Sequence, residues 1–282
     1  INYKPRVELI YKDFKKQVIN YNKAWDDFSQ FSINYYNVIE KIYPGVLGTD
    51  DSIYGLPEDL AKQIQNEPFY TNGLICTLRK YQEWGVKYAL HQKKVLLGDE
   101  MGLGKTLQVI TLMQEYKNQN DIPMLVVAPV SLLHNWKNEC AKFAPGLKVL
   151  IHHGAKRTGR YKELELYDVV VISYNTAVGD TALLSMIPWK LVVLDEAQNI
   201  KNPDSERTRY VKKIPRNKCI AVSGTPFENH VMDIWSLVDF IMPGLLGTQR
   251  EYSEYISDDL YGADKICLLY TSQSPRDKRQ SR

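Results

Sequence analysis

The chain has 282 residues, 44% hydrophobic and 24% charged, a balance that fits a soluble globular protein with enough residues for one large core or two small ones. No apolar run approaches the roughly 20 residues of a membrane span, and Cys76, Cys140, Cys219 and Cys267 form no Cys-x-x-Cys pair; the expectation is a cytoplasmic protein with reduced thiols, no membrane partner and no structural zinc. The net charge of +3 sits in the last twelve residues, where Arg276, Lys278, Arg279 and Arg282 face Asp277; the rest carries 32 residues of each sign, so any nucleic-acid surface must be a local patch.

The chain opens at Ile1 without a methionine, and the native start is expected to lie upstream. Apolar residues then fall at Val7, Tyr11, Phe14, Val18, Tyr21, Trp25 and Phe28, alternating by four and three, and Tyr35, Ile39 and Ile42 continue the register. That spacing predicts an amphipathic helix or helix pair packed on its own protein, with a coiled coil as the alternative. Pro44, Gly45, Gly48 and Gly55 mark a linker, which closes a helical N-terminal segment of residues 1–70.

From about Thr77 the pattern changes. Runs at Val95–Leu97, Met124–Val127, Val149–Ile151, Val169–Ile172, Leu191–Leu194 and Ile220–Val222 are mostly apolar on successive positions, as parallel strands buried on both faces are. Helices are predicted between and after them at Thr106–Lys117, Leu132–Phe143, Thr176–Met186 and Met232–Phe240. Strand–helix alternation predicts an α/β domain over residues 71–256, built on a mainly parallel sheet flanked by helices. Ligands of such sheets sit at the carboxyl ends of the strands.

The chemistry-bearing segments lie at those ends. Asp99, Glu100, Met101, Gly102, Leu103, Gly104, Lys105 and Thr106 follow one predicted strand and open a predicted helix. Glycines let backbone N–H groups curl around phosphate oxygens, and the helix N-terminus adds positive potential. In that frame Lys105 reaches the β- and γ-phosphates of ATP, and the Thr106 hydroxyl ligates Mg²⁺. The first position of the usual phosphate-loop pattern is glycine; here it is Asp99. Leu191–Leu194 ends in Asp195 and Glu196, where Asp195 would hold Mg²⁺ and Glu196 would polarise the attacking water. Ser223-Gly224-Thr225-Pro226, with Asn229 beyond it, follows the last predicted strand and is placed to sense the γ-phosphate. His152-His153-Gly154 has the look of a metal motif, but no acid or cysteine lies close by in sequence, and a surface turn is expected.

Together these segments resemble the Swi/Snf-type ATPases of helicase superfamily two. Leu78-Arg79-Lys80-Tyr81-Gln82 is similar to the family's adenine-recognition segment, which makes Arg79 and Gln82 nucleotide-binding residues, with Gln82 as the base-reading amide. Asp99–Thr106 reads as the family's phosphate loop unaltered, and Ala128–Trp136 resembles its motif Ia. Ile172-Ser173-Tyr174, Asp195-Glu196-Ala197-Gln198 with Lys201-Asn202, and Ser223–Asn229 resemble the motifs that follow; Asp233–Leu237 and Pro243–Gly247 resemble the exit from the first lobe. Gln198 stands where many relatives carry histidine, which bears on how ATP and nucleic acid are coupled.

The resemblance implies a RecA-like P-loop lobe that binds ATP and Mg²⁺, with Lys105, Asp195 and Glu196 as catalytic residues. It also implies double-stranded DNA as the track, with movement that does not separate the strands. An RNA-dependent ATPase of the wider superfamily and a non-hydrolysing nucleotide-binding scaffold are the alternatives. Ser131, Asn135, Lys137, Ser173 and Asn175, at predicted strand ends, are candidate contacts to backbone phosphates. Nothing after Tyr255 resembles the family's second lobe, which supplies arginines worth ~10³–10⁵ in rate in related NTPases. The 282 residues alone are therefore expected to bind nucleotide weakly and to hydrolyse it very slowly. Cys267–Asp277, within the tail of residues 257–282, reads like the translation of a transposase sequencing adapter, so the chain is expected to be non-native from about residue 267; a native basic tail is the alternative.

Overall fold

The apolar runs become the six strands of one parallel sheet in a computed structural model that describes residues 58–98, 102–155, 157–224 and 231–257. The helix predicted from Val7 to Ile42, residues Asp99, Glu100 and Met101 of the predicted phosphate loop, the Thr225–Asn229 half of the last motif and the basic tail lie outside the described residues. Helices α1 (Glu58–Gln65) and α2 (Lys80–Gln92) lead into β1 (Lys94–Leu97). Then α3 (Lys105–Asn118) reaches β2 (Met124–Ala128), and α4 (Leu133–Phe143) reaches β3 (Val149–Ile151). The short α5 (Tyr161–Leu164) precedes β4 (Val169–Ser173); α6 (Tyr174–Gly179) and α7 (Thr181–Ser185) precede β5 (Trp189–Leu194). Finally α8 (Glu206–Lys213) leads to β6 (Arg216–Val222), followed by α9 (Val231–Ile241) and α10 (Gln249–Ser257).

The strands stand in the order β1-β6-β5-β2-β4-β3, every neighbouring pair parallel. Successive residues point to opposite faces, and both faces are covered, which is why the runs are continuously apolar. Met124, Val126 and Ala128 of β2 join Val169 and Val171 of β4 in the core beneath α2, α3 and α4. Leu125 and Val127 join Val170, Ile172, Val192 and Leu194 in the core beneath α6 to α9. Helix α4 shows the complementary period: Leu133, Trp136 and Cys140 are buried, while His134, Asn135 and Lys137 are exposed.

The predicted helix Thr176–Met186 is two helices, α6 and α7, broken at Asp180. Gly179 weakens the helix there, and the Asp180 side chain is used elsewhere. His152, 1% exposed at the end of β3, places Nε2 2.9 Å from Asp180 Oδ2, and Arg157 donates through Nε to the same oxygen at 2.7 Å. His153 Nδ1 lies 3.3 Å from the Thr176 hydroxyl. The acid that the His-His-Gly segment lacks in sequence thus arrives from 28 positions away.

Burial pushes the Asp180 carboxyl up, but the hydrogen bonds and charges of Arg157 and His152 outweigh it and hold the carboxyl below the usual carboxylate range. A depressed carboxyl adds stability that is present above its unfolded value, about 3.9, and lost as pH falls through the folded value. Asp180→Asn is accordingly expected to melt below the parent at pH 7, with the gap closing as the pH drops below about 4. Thermal melts of the pair across that range check it; a gap that is constant with pH contradicts it. Among the described residues Cys76, Cys140 and Cys219 are free thiols, and burial, aided by the Glu139 charge, pushes Cys140 up to about 12.

Candidate functional site

The strand order brings three loops to one edge. β6 lies between β1 and β5, with Leu97 paired to Val222 and Leu194 to Ala221. The loop after β1 carries Gly102 and Gly104, the turn after β6 carries Ser223 and Gly224, and β5 runs straight into Asp195 and Glu196. The Ser223 N–H donates to Leu97 O at 3.1 Å, and the Asp195 N–H donates to Val127 O of β2 at 2.8 Å, so the turns extend the sheet ladder by one step.

Gly102 (φ 84°) and Gly104 (φ 78°) both take the left-handed conformation, and Gly104 caps the N-terminus of α3. The first turn of α3, Lys105 and Thr106, has N–H groups that no helical carbonyl can accept. They point outward at the positive end of a 14-residue helix. Beneath the loop, Gln82 on the first turn of α2 is 6% exposed. Its Oε1 accepts the Arg79 N–H at 3.0 Å, and its Nε2 donates to Leu103 O at 3.2 Å; the Tyr81 hydroxyl donates to the same carbonyl at 3.1 Å. Gln82 is therefore tied to the loop, and Arg79 to Gln82, a structural part in addition to any contact with a base.

Asp195 is 8% exposed and fixed at both oxygens: the Trp136 indole Nε1 donates to Oδ2 at 2.7 Å, and the Glu196 N–H donates to Oδ1 at 3.0 Å. Burial raises its carboxyl above the usual carboxylate range, and the Glu196 charge adds to this; the Trp136 bond and the Lys105 charge act the other way. Glu196 has φ 49° and ψ 55°, left-handed for a residue with a side chain, a conformation that costs about 1–2 kcal/mol. Its carbonyl is pinned by Asn199 Nδ2 at 2.9 Å and by the Tyr174 hydroxyl at 3.4 Å; that hydroxyl also donates to Asp195 O at 2.7 Å. Strain of this kind persists where the surroundings over-determine it.

Gln198 joins the acids to the turn after β6. Its Nε2 donates to Glu196 Oε2 at 2.5 Å, and its Oε1 accepts the Ser223 hydroxyl at 3.0 Å. The sequence flagged Gln198 as a departure but offered no partner for it. Arg207, on α8, also went unpredicted because it sits in an ordinary charged helix with no motif around it. It donates to Asn199 Oδ1 at 3.0 Å and to Asn175 Oδ1 at 3.3 Å, stacks 5.7 Å from the Tyr174 ring, and borders an open groove shared with Gln198, Lys201 and Asn202.

Of the candidate phosphate contacts, Ser131, Asn135, Lys137 and Asn175 are exposed. Ser173 is not: it is 1% exposed and caps α6, accepting the Thr176 N–H at 3.1 Å. A serine after a strand suits either part, and burial gives it to the cap.

The donor set fits a magnesium nucleotide. Left-handed glycines and a helix start offer N–H groups to phosphate, Lys105 and Thr106 stand at that start, and a buried carboxylate beside a second one suits a hard cation. Among the described residues no helix is long and apolar enough to cross a membrane.

Residues 81–276 match the family model of the SNF2-related domain. The chain is 42% identical over 187 residues to an uncharacterized ATP-dependent helicase of Mycoplasma pneumoniae, covering 64% of this chain and 18% of that protein. It is 40% identical over 181 residues to a putative ATP-dependent helicase/translocase of Bacillus subtilis, covering 61% and 20%. Among solved structures it is similar to the SWI2/SNF2 ATPase core of Sulfolobus solfataricus in complex with dsDNA, with 35% identity, a TM-score of 0.65 and coverage of 71% of this chain and 44% of that one. The chain thus spans about a fifth of the length of these curated relatives and under half of the solved core.

Proposed function

The chain belongs to the SNF2-related domain family, and from that premise we propose that residues 71–256 are the ATP-binding lobe of an ATP-driven double-stranded DNA translocase. The observation that carries the reading is the convergence of Gly104-Lys105-Thr106, Asp195-Glu196 and Ser223 on the adjacent strand ends of β1, β5 and β6. The solved neighbour at 35% identity holds duplex DNA, which supports duplex DNA as the track here.

Mg²⁺·ATP, when bound, would supply a phosphoanhydride with charge drawn off its γ-phosphate. Lys105 and the first-turn N–H groups of α3 hold the β- and γ-phosphate oxygens, and Thr106 and Asp195 hold the metal. Glu196 orients a water and takes its proton; Gln198 passes the change at Glu196 to Ser223. Gln82 reads the base from its place under the loop. Ser131, Asn135, Lys137 and Asn175, with Lys201 and Arg207 of the groove, hold backbone phosphates.

Steady-state ATP turnover of the full-length protein, measured with duplex DNA and with RNA, tests the proposal. Stimulation by duplex DNA and none by RNA is expected. Stimulation by RNA instead would replace the track, and nucleotide binding without turnover on either would make the lobe a scaffold.

A further inference from the structure

Trp136 is 1% exposed on the inner side of α4, and its ring fills the core beneath that helix. An indole has one polar group, an N–H, which needs an acceptor once buried. Trp189 and Trp235 meet that need with backbone carbonyls, Leu184 O at 2.9 Å and Gly247 O at 3.2 Å. Trp136 gives its N–H to Asp195 Oδ2 at 2.7 Å, across 59 positions of sequence. The Glu196 N–H takes the other oxygen. With a donor at each end the carboxylate cannot turn about its last torsion, and each oxygen keeps a lone pair for another partner.

We infer that Trp136 is the positioning residue of Asp195: its indole N–H fixes the carboxylate in the orientation that takes the divalent cation. The inference rests on the nucleotide-site reading above and adds a residue to it. Groups that hold a metal ligand in place without touching the metal change its affinity by 10–100-fold when removed. The bond links Asp195 to the inner side of α4, the helix whose outer side exposes Asn135 and Lys137.

The test is equilibrium binding of N-methylanthraniloyl-ADP to the full-length protein, read by anisotropy across a Mg²⁺ titration and again in EDTA. Trp136→Phe keeps a ring and removes the N–H. We expect its half-saturating Mg²⁺ concentration to rise about tenfold or more, with EDTA affinity unchanged. In an Asp195→Asn background the same substitution is expected to add nothing, which separates positioning from general loosening of the core. If Trp136→Phe loses its cooperative melt, β-(3-benzothienyl)alanine at position 136 replaces it, with sulfur where the N–H stands and the ring size kept. An unchanged Mg²⁺ midpoint in a normally folded variant overturns the inference. A wild-type protein whose nucleotide binding ignores Mg²⁺ overturns the site reading itself, and the wild-type arm tells the two failures apart.

Discussion

In the full-length protein, Glu196→Gln is expected to lower ATP turnover by about 10²–10⁴-fold, the usual contribution of a positioned general base, while leaving nucleotide affinity nearly unchanged. Glutamine keeps the length and shape of the side chain but cannot accept a proton from water. It also keeps an oxygen for the Gln198 amide to bond, so the link at 2.5 Å survives as a neutral pair. The backbone strain at position 196 is the same for either residue, and the bonds from Asn199 and Tyr174 run to the main-chain carbonyl. Chemistry and structure are therefore separable at this position. Single-turnover hydrolysis beside equilibrium nucleotide binding measures both, and turnover at the parent rate would remove Glu196 from its assigned part.

Gly104→Ala is expected to act on binding instead. Position 104 has φ 78°, where alanine costs about 1–2 kcal/mol, and an added Cβ would stand 2.5 Å from Gln82 Nε2. Gln82 would have to give up its bond to Leu103 O, a further loss of about 1 kcal/mol. If binding has to restore the native loop, these costs together, about 2–3 kcal/mol, correspond to roughly 30- to 150-fold in nucleotide affinity. The double variant with Gln82→Ala relieves the clash but not the φ strain, and should recover only part of the loss. Nucleotide titrations of the three proteins check this; parent-like affinity in Gly104→Ala would show that the loop tolerates another conformation.

Much of the fold was legible because its physics is local. β3 begins and ends where its apolar run does, and β2, β4 and β5 extend theirs by only one or two residues. Parallel strands covered on both faces leave a continuous signal that turns interrupt sharply. The strand order was not legible: no local pattern places β6 between β1 and β5. That order is what brings Ser223 within reach of Gln198, so a substitution visible in sequence acquired its partner only in three dimensions. Trp136 was hidden for a different reason. On the buried side of α4, between Leu133 and Cys140, it has the spacing of a core residue, and it is one; its single polar atom does the rest. The helix that spacing alone ran through breaks at Asp180, whose carboxylate bonds to His152 and Arg157 from the segment after β3.

Gln198 has a polarity that an imidazole would not. An amide has a donor end and an acceptor end, and no proton exchange near neutral pH swaps them. Glu196, when ionised, only accepts, so the NH₂ end must face it and the oxygen must face the Ser223 hydroxyl. Turning the amide over would set oxygen against carboxylate. Once Glu196 carries a proton that objection disappears, because the acid has an O–H to offer an oxygen. The ionised acid therefore allows one orientation of the amide and the protonated acid allows both, with Ser223 bonded at the other end.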